Sequence, residues 1–212
     1  MATTDAVRAV CDAMVHILNT TMNAEREDLG FDNGINPTFA VYTGEDFTDQ
    51  NGQNHVSTGA SVFLYRVLPN LSHRTPAGRV LTNGQRQRHQ LPLDLHLIVT
   101  IWASSADTQN RLVGWVLRTL EDYPSIPASV LNIGQPERVF RDDESVELVI
   151  GEMAGDELLQ LWDMLGNGDL HYQISIPYIV RNLLIESHRT DAPAADVQIR
   201  TLDMNRLDSS RP

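Results

Sequence analysis

Asp94 and His96 are the pair of residues in this sequence with the clearest spacing for chemistry. In an extended strand, residues two positions apart project from the same face, so both side chains could contact one metal ion. His73 and His89 precede them in the chain. A zinc site needs three or four converging ligands, whereas alternating polar residues are ordinary on the outer face of a strand. The pair therefore supports a metal-dependent hydrolase only as a minor alternative.

Other catalytic motifs are missing from the sequence. It contains neither a Gly-x-Ser-x-Gly nucleophile elbow nor a Gly-x-Gly-x-x-Gly phosphate loop. Lysine, which a P-loop requires, does not occur, because all 16 basic residues are arginines. The acidic run 142–144 lacks the spaced oxygen ligands of a calcium loop. We therefore predict a protein that is not an enzyme.

Arginines and carboxylates are segregated along the chain. Residues 50–93 contain no acidic residue, whereas residues 121–169 contain twelve acidic residues and two arginines. Two stretches of opposite sign suit head-to-tail association in a ring. The competing interpretation is that the two stretches pair within one chain. We predict contacts with a neighbouring subunit or partner for the five arginines of the first stretch: Arg66, Arg74, Arg79, Arg86 and Arg88.

Composition restricts the class of protein further. The net charge of -12 argues against non-specific contact with nucleic acid or an anionic membrane. A chain of 212 residues can bury its own core. The single cysteine, Cys11, excludes an internal disulfide. The sequence shows no signal peptide and no run of about 18 apolar residues, so we expect cytoplasmic synthesis and no membrane span.

Hydrophobic spacing predicts an α+β fold. Apolar residues at three- and four-residue spacing predict helices at Val7–Leu18, Asp107–Asp122 and Asp156–Leu165. Alternating or continuous apolar runs predict strands at Phe39–Tyr42, Ser61–Leu68, Leu91–Trp102 and Tyr172–Ile185, with short extended pieces within 125–150. Because consecutive strands are joined by loops, we predict an antiparallel or mixed sheet flanked by helices.

Several local features refine this arrangement. Ser61–Leu68 is apolar on both faces, as in a strand in mid-sheet, and Pro177 indicates a sheet edge or a bulge. The segment 69–90 is predicted to be an exposed loop. We predict a single domain over residues 1–188, followed by a polar tail, 189–212, that is loose unless a partner orders it.

A series of short motifs follows in a characteristic order between residues 5 and 185. They are Leu-Tyr-Arg-Val-Leu-Pro-Asn (64–70), Leu-Pro-Leu-Asp-Leu-His (91–96), Leu-Val-Gly (112–114), Leu-Glu-Asp-Tyr-Pro (120–124), Asp-Glu-Leu (156–158), Leu-Trp (161–162), Leu-Gly (165–166) and a last strand with Pro-Tyr (177–178). Together they resemble the cap, or tail-terminator, family of extracellular contractile injection systems, which are phage-tail-like particles. The polar insert at 45–54 departs from the family's commoner pattern.

The resemblance implies a structural role and a fold similar to phage tail terminators. It implies a hexameric ring that closes the distal end of the sheath and inner tube, with contacts to itself, the sheath protein and the inner tube protein. It implies no cofactor, no catalysis, and assembly in the cytoplasm as part of a contractile particle. The alternative is an adaptor that binds an acidic partner through the arginine-rich loop 69–90.

Overall fold

The computed structural model describes residues 2–27, 29, 35–48, 55–70, 72, 78–166 and 171–191. The helices in these ranges are α1 (Ala6–Glu25), α2 (Ala106–Glu121), α3 (Ala128–Leu131) and α4 (Gly155–Gly166). The strands are β1 (Thr38–Tyr42), β2 (Gly59–Pro69), β3 (Arg86–Gln87), β4 (Leu91–Trp102), β5 (Ser125–Pro127), β6 (Ser145–Ile150), β7 (Ser175–Ile185) and β8 (Thr190–Asp191). A 3-10 turn, Glu45–Phe47, follows β1.

Six strands form one mixed sheet in the order β1-β2-β4-β7-β6-β5. β1 runs parallel to β2, and the other neighbouring pairs are antiparallel. β4 has the bounds predicted from its alternating leucines and lies between β2 and β7. β3 and β8 form a separate two-stranded ribbon. The predicted α+β class, with a mixed sheet flanked by helices, is therefore confirmed.

One face of the sheet packs against α1 and α2, and this contact holds the larger core. The buried residues of α1 recur at three- and four-residue spacing, which gives the helix one apolar face: Ala6, Ala9, Val10, Ala13, Met14, Ile17 and Leu18. Burial raises the pKa of the Cys11 thiol on this helix to about 12, so the thiol stays protonated at neutral pH. The helix extends beyond its predicted end to Glu25, whose Oε2 accepts a hydrogen bond from Trp115 Nε1 at 2.9 Å.

α4 and the 3-10 turn pack on the opposite face of the sheet through a cluster of aromatic rings. Phe47 lies edge-to-face against Trp162, with 5.8 Å between ring centroids. Each indole N–H at this face has an acceptor: Trp162 Nε1 donates to Ser175 Oγ at 3.2 Å, and Trp102 Nε1 donates to Ser61 Oγ at 2.8 Å. Buried tryptophan requires such a partner. The bond from Trp162 therefore holds α4 on the sheet, whereas the bond from Trp102 links β4 to β2.

The prediction that Pro177 marks a sheet edge or a bulge is wrong. Pro177 lies in β7, an interior strand between β4 and β6. Proline is tolerated because the ladder with β6 ends at the next residue, and Pro177 O still accepts a hydrogen bond from Gly151 N at 2.8 Å. The bulge of β7 lies further along, where Arg181 and Asn182 oppose the single residue Asp94.

The prediction that Ser61–Leu68 lies in mid-sheet holds only for the first half of β2. β1 is five residues long and pairs with β2 only as far as Phe63. Beyond that point the described residues give β2 a partner on one side only, which is β4. Val67 and Leu68 are consequently 43% and 40% exposed.

The segment 125–150, predicted as short extended pieces, contains one helical turn, α3, as well as β5 and β6. Pro127 precedes this turn in an extended conformation, and Ala128 and Leu131 are buried. Four residues are too few to show a helical period, so the spacing of apolar residues could not reveal the turn.

Two leucine-to-alanine variants, one at a buried position and one at an exposed position, test which leucines belong to the core. Leu18 on α1 is 0% exposed, whereas Leu159 on α4 is 60% exposed. We expect Leu18→Ala to lower the free energy of unfolding by about 2–5 kcal/mol, because it leaves a cavity. Leu159→Ala should change it by less than about 0.5 kcal/mol. Urea denaturation of both purified variants measures the difference, and equal effects would contradict the assigned core.

Candidate interaction surfaces

The arginine-rich segment forms a ribbon with the end of the described chain. β3 pairs antiparallel with β8, and Arg88 N donates to Arg189 O at 3.0 Å. The backbone of the same segment folds back on itself at Gly78. A Cβ atom at Gly78 would lie 1.8 Å from Gln87 O, so only glycine fits there. The segment 69–90, predicted as an exposed loop, is thus partly ordered by strand pairing.

Arg79 is an internal anchor of this segment. Its Nε lies 2.7 Å from Oε1 of Glu186, and a second guanidinium nitrogen lies 3.0 Å from Oε1 of Glu144. The Glu186 side chain is 4% exposed and also accepts a hydrogen bond from Gln90 Nε2 at 3.0 Å. Arg141 approaches the other Glu186 oxygen at 3.5 Å. The buried carboxylate therefore ties together three segments that are distant in sequence.

Arg66 lies on the sheet face that α4 partly covers. Its guanidinium is 3.8 Å from Glu157 of α4 and lies over the Tyr65 ring, 5.8 Å from the centroid. Both charged side chains are about half exposed, so this pair contributes little to stability. At Arg66 and at Arg79, the arginine-rich and acidic stretches contact each other within one chain.

Arg86 and Arg88 are exposed on the ribbon, and the structure brings Arg189 beside them. We call Arg86, Arg88 and Arg189 the cationic ribbon. Arg74, the remaining predicted contact residue, lies outside the described residues. Arg189 is far from 86–88 along the chain, and only strand pairing places it there, so no pattern in the sequence identifies it as part of this surface.

α4 presents a surface of the opposite sign. Asp156, Leu159 and Asp163 follow three- and four-residue spacing and are exposed, so they share one face of the helix. Met164, beside them, is 78% exposed. We call these four residues the acidic face of α4.

The strand positions of Asp94 and His96 are as predicted, but their contacts are those of ordinary sheet residues. Asp94 Oδ1 accepts a hydrogen bond from Asn70 Nδ2 at 3.0 Å. His96 contacts the Tyr65 ring edge-to-face, with 6.0 Å between centroids. Burial, and secondarily the Arg66 charge, lower the pKa of His96, which favours its neutral form. Within the described ranges, no three His, Cys, Asp or Glu side chains are grouped so that they could hold a metal ion.

Among the residues that the structure describes, no helix is both long enough and apolar enough to cross a lipid bilayer.

Comparison with known proteins shows the family. The family model of the Pvc16 N-terminal domain matches residues 9–199. The chain belongs to this family. The match includes the motifs from 64–70 to 177–178, on which the resemblance to cap proteins rested, and that prediction is confirmed. No curated protein matches the chain.

A solved structure with a similar fold comes from an extracellular contractile injection system. The PVC sheath/tube terminator of an extracellular contractile injection system, in its extended state, has 16% sequence identity and a TM-score of 0.60. That likeness covers 97% of this chain and 65% of the terminator, so the chain spans less than two thirds of the terminator's length. The tube-terminating cap of the anti-feeding prophage has 18% identity and a TM-score of 0.48, covering 85% and 58% of the two chains.

A charge-neutralising variant tests the Arg79 anchor. Glu186→Gln removes the carboxylate charge that Arg79 and Arg141 share, so we expect the free energy of unfolding to fall by about 1–3 kcal/mol. The matched control is Glu152→Gln at an exposed position, where we expect a change within about 0.5 kcal/mol. Urea denaturation measures both. If the two variants are equally stable, Glu186 does not hold the segment in place.

Proposed function

We propose that this chain is a structural terminator that forms a six-membered ring closing the distal end of the sheath and inner tube of a contractile injection system. Its partners are other copies of itself, the sheath protein and the inner tube protein. It stops further polymerisation by occupying the end of the polymer. It acts through shape and charge rather than through catalysis.

The match of residues 9–199 to the Pvc16 N-terminal domain family carries this proposal. The fold supports it, because the PVC sheath/tube terminator has a similar architecture over 97% of this chain. The surfaces also suit a ring, since a head-to-tail interface requires two different, complementary patches on each subunit. The cationic ribbon and the acidic face of α4 are two such patches.

The structural role also agrees with the contacts of Asp94 and His96, the pair whose spacing suggested a metal site. Asp94 accepts a hydrogen bond from Asn70, and His96 contacts the Tyr65 ring, so both side chains interact with neighbouring residues of the sheet.

We further propose that the chain is made and assembled in the cytoplasm as part of a contractile particle.

An adaptor that binds an acidic partner is the second candidate. The exposed arginines Arg86 and Arg88 favour it, because a local positive surface on a chain of net charge -12 attracts carboxylates. Affinity purification separates the two candidates. A terminator retains sheath and tube proteins, whereas an adaptor retains an acidic protein unrelated to the particle.

Particle length tests the terminator function. We expect particles assembled from the complete gene set without this chain to have longer and more variable tubes and sheaths, because nothing blocks the growing end. Restoring the wild-type chain should return a uniform length. Negative-stain electron microscopy of purified particles measures the length distribution.

The matched control for this experiment is Arg111→Gln on α2. The Arg111 side chain is 56% exposed and forms an ion pair with Asp107 on its own helix, so this variant should restore length as well as wild type does. An unchanged length distribution in the absence of the chain would show that it does not terminate the polymer.

A further inference from the structure

We infer that the cationic ribbon of one copy of this chain contacts the acidic face of α4 on a second copy. This inference rests on the proposed ring and names the two surfaces that form it. The sequence pattern indicated only two long stretches of opposite charge. The inference narrows the acidic stretch to one face of α4 and adds Arg189, which lies outside both stretches.

The two surfaces lie at different ends of the same rigid strand. The ribbon adjoins the Leu91 end of β4, because only two residues separate Arg88 from that strand. α4 lies toward the other end, where Trp162 contacts Trp102 with 6.1 Å between ring centroids. A strand of 12 residues spans roughly 40 Å. One subunit can therefore use both surfaces at once, each with a different neighbour, as a cyclic assembly requires.

Charge sign determines which surfaces can meet. Asp156 and Asp163 on α4 carry two negative charges. The ribbon has a net positive charge, because its three arginines outnumber Asp191, the register partner of Arg86. A symmetric two-fold dimer through either surface would place like charges opposite each other, which is unfavourable by several kcal/mol. Contact of the ribbon with α4 makes opposite charges meet. A second copy of the chain therefore provides the complementary partner.

Each surface also has an apolar part, as stable interfaces do. Leu159 and Met164 on α4 are 60% and 78% exposed. At the ribbon, Val80 is 61% exposed and forms a β-bridge with Arg86, and Leu91 is 50% exposed. Contact between the two surfaces would remove these side chains from water, while the charges around them fix the orientation.

Reciprocal charge reversal tests this interface. The ribbon variant is Arg86→Glu with Arg189→Glu, and the helix variant is Asp156→Arg with Asp163→Arg. We expect self-association of wild type by sedimentation velocity at low salt, weakened on the order of a hundredfold in either variant because like charges then face each other. An equimolar mixture of the two variants should recover association, because every ribbon then meets a helix of opposite charge.

Controls separate the interface from net charge. Arg8→Glu with Arg111→Glu changes the net charge as the ribbon variant does, at exposed positions on α1 and α2. Glu121→Arg with Glu137→Arg matches the helix variant at exposed positions. Both controls should associate like wild type. Thermal unfolding of every variant confirms that each remains folded.

Three results would overturn the inference: a monomeric wild-type chain, unimpaired association of either reversed variant, or no recovery in the mixture. The association experiment and the particle-length experiment distinguish an error in this interface from an error in the proposed function. If the chain limits tube length while both reversed variants associate normally, the terminator function stands and this interface is wrong. If the interface is confirmed while particle length does not depend on the chain, the interface stands and the terminator function is wrong.

Discussion

Burial of β4 on both of its faces is the constraint on which the rest of the domain depends. Residues 97–101 of this strand are each at most 1% exposed, although the strand alternates its side chains between two faces. One face completes the core under α1 and α2, and the other supports the aromatic cluster under α4. Thr100, on the second face, shares a hydrogen bond of 3.0 Å with Ser175 of the neighbouring strand. Because both layers pack on this strand, β4 positions α1 and α2 relative to α4.

Electrostatics has two roles in this fold. Arg79, Glu186 and Glu144 use their charges inside the subunit, where a carboxylate that is 4% exposed must be paired. The cationic ribbon and the acidic face of α4 display their charges at the surface. Part of the charge that is segregated along the sequence is therefore paired within the monomer. Contact of the exposed charges with a neighbouring subunit stays a proposal.

The sequence predicted the elements whose signals are local. β4 has the predicted bounds because its alternating leucines span the whole strand, and α2 differs by one residue at each end because its apolar spacing is regular. Features that depend on pairing were not predictable. The β3–β8 ribbon joins residues far apart in the chain, and the tolerance of Pro177 in an interior strand depends on where β6 ends. Of the five predicted contact arginines, Arg79 is an internal anchor, a role that only its distance to Glu186 reveals.

The central claim is that this chain closes the distal end of a contractile particle, and imaging of the intact particle tests it most directly. Cryo-electron microscopy of particles that carry the chain should show its fold at one terminus only, the end opposite the baseplate, as six copies around the tube axis. Density for the chain along the sheath or at the baseplate, or intact distal ends without it, would contradict the claim.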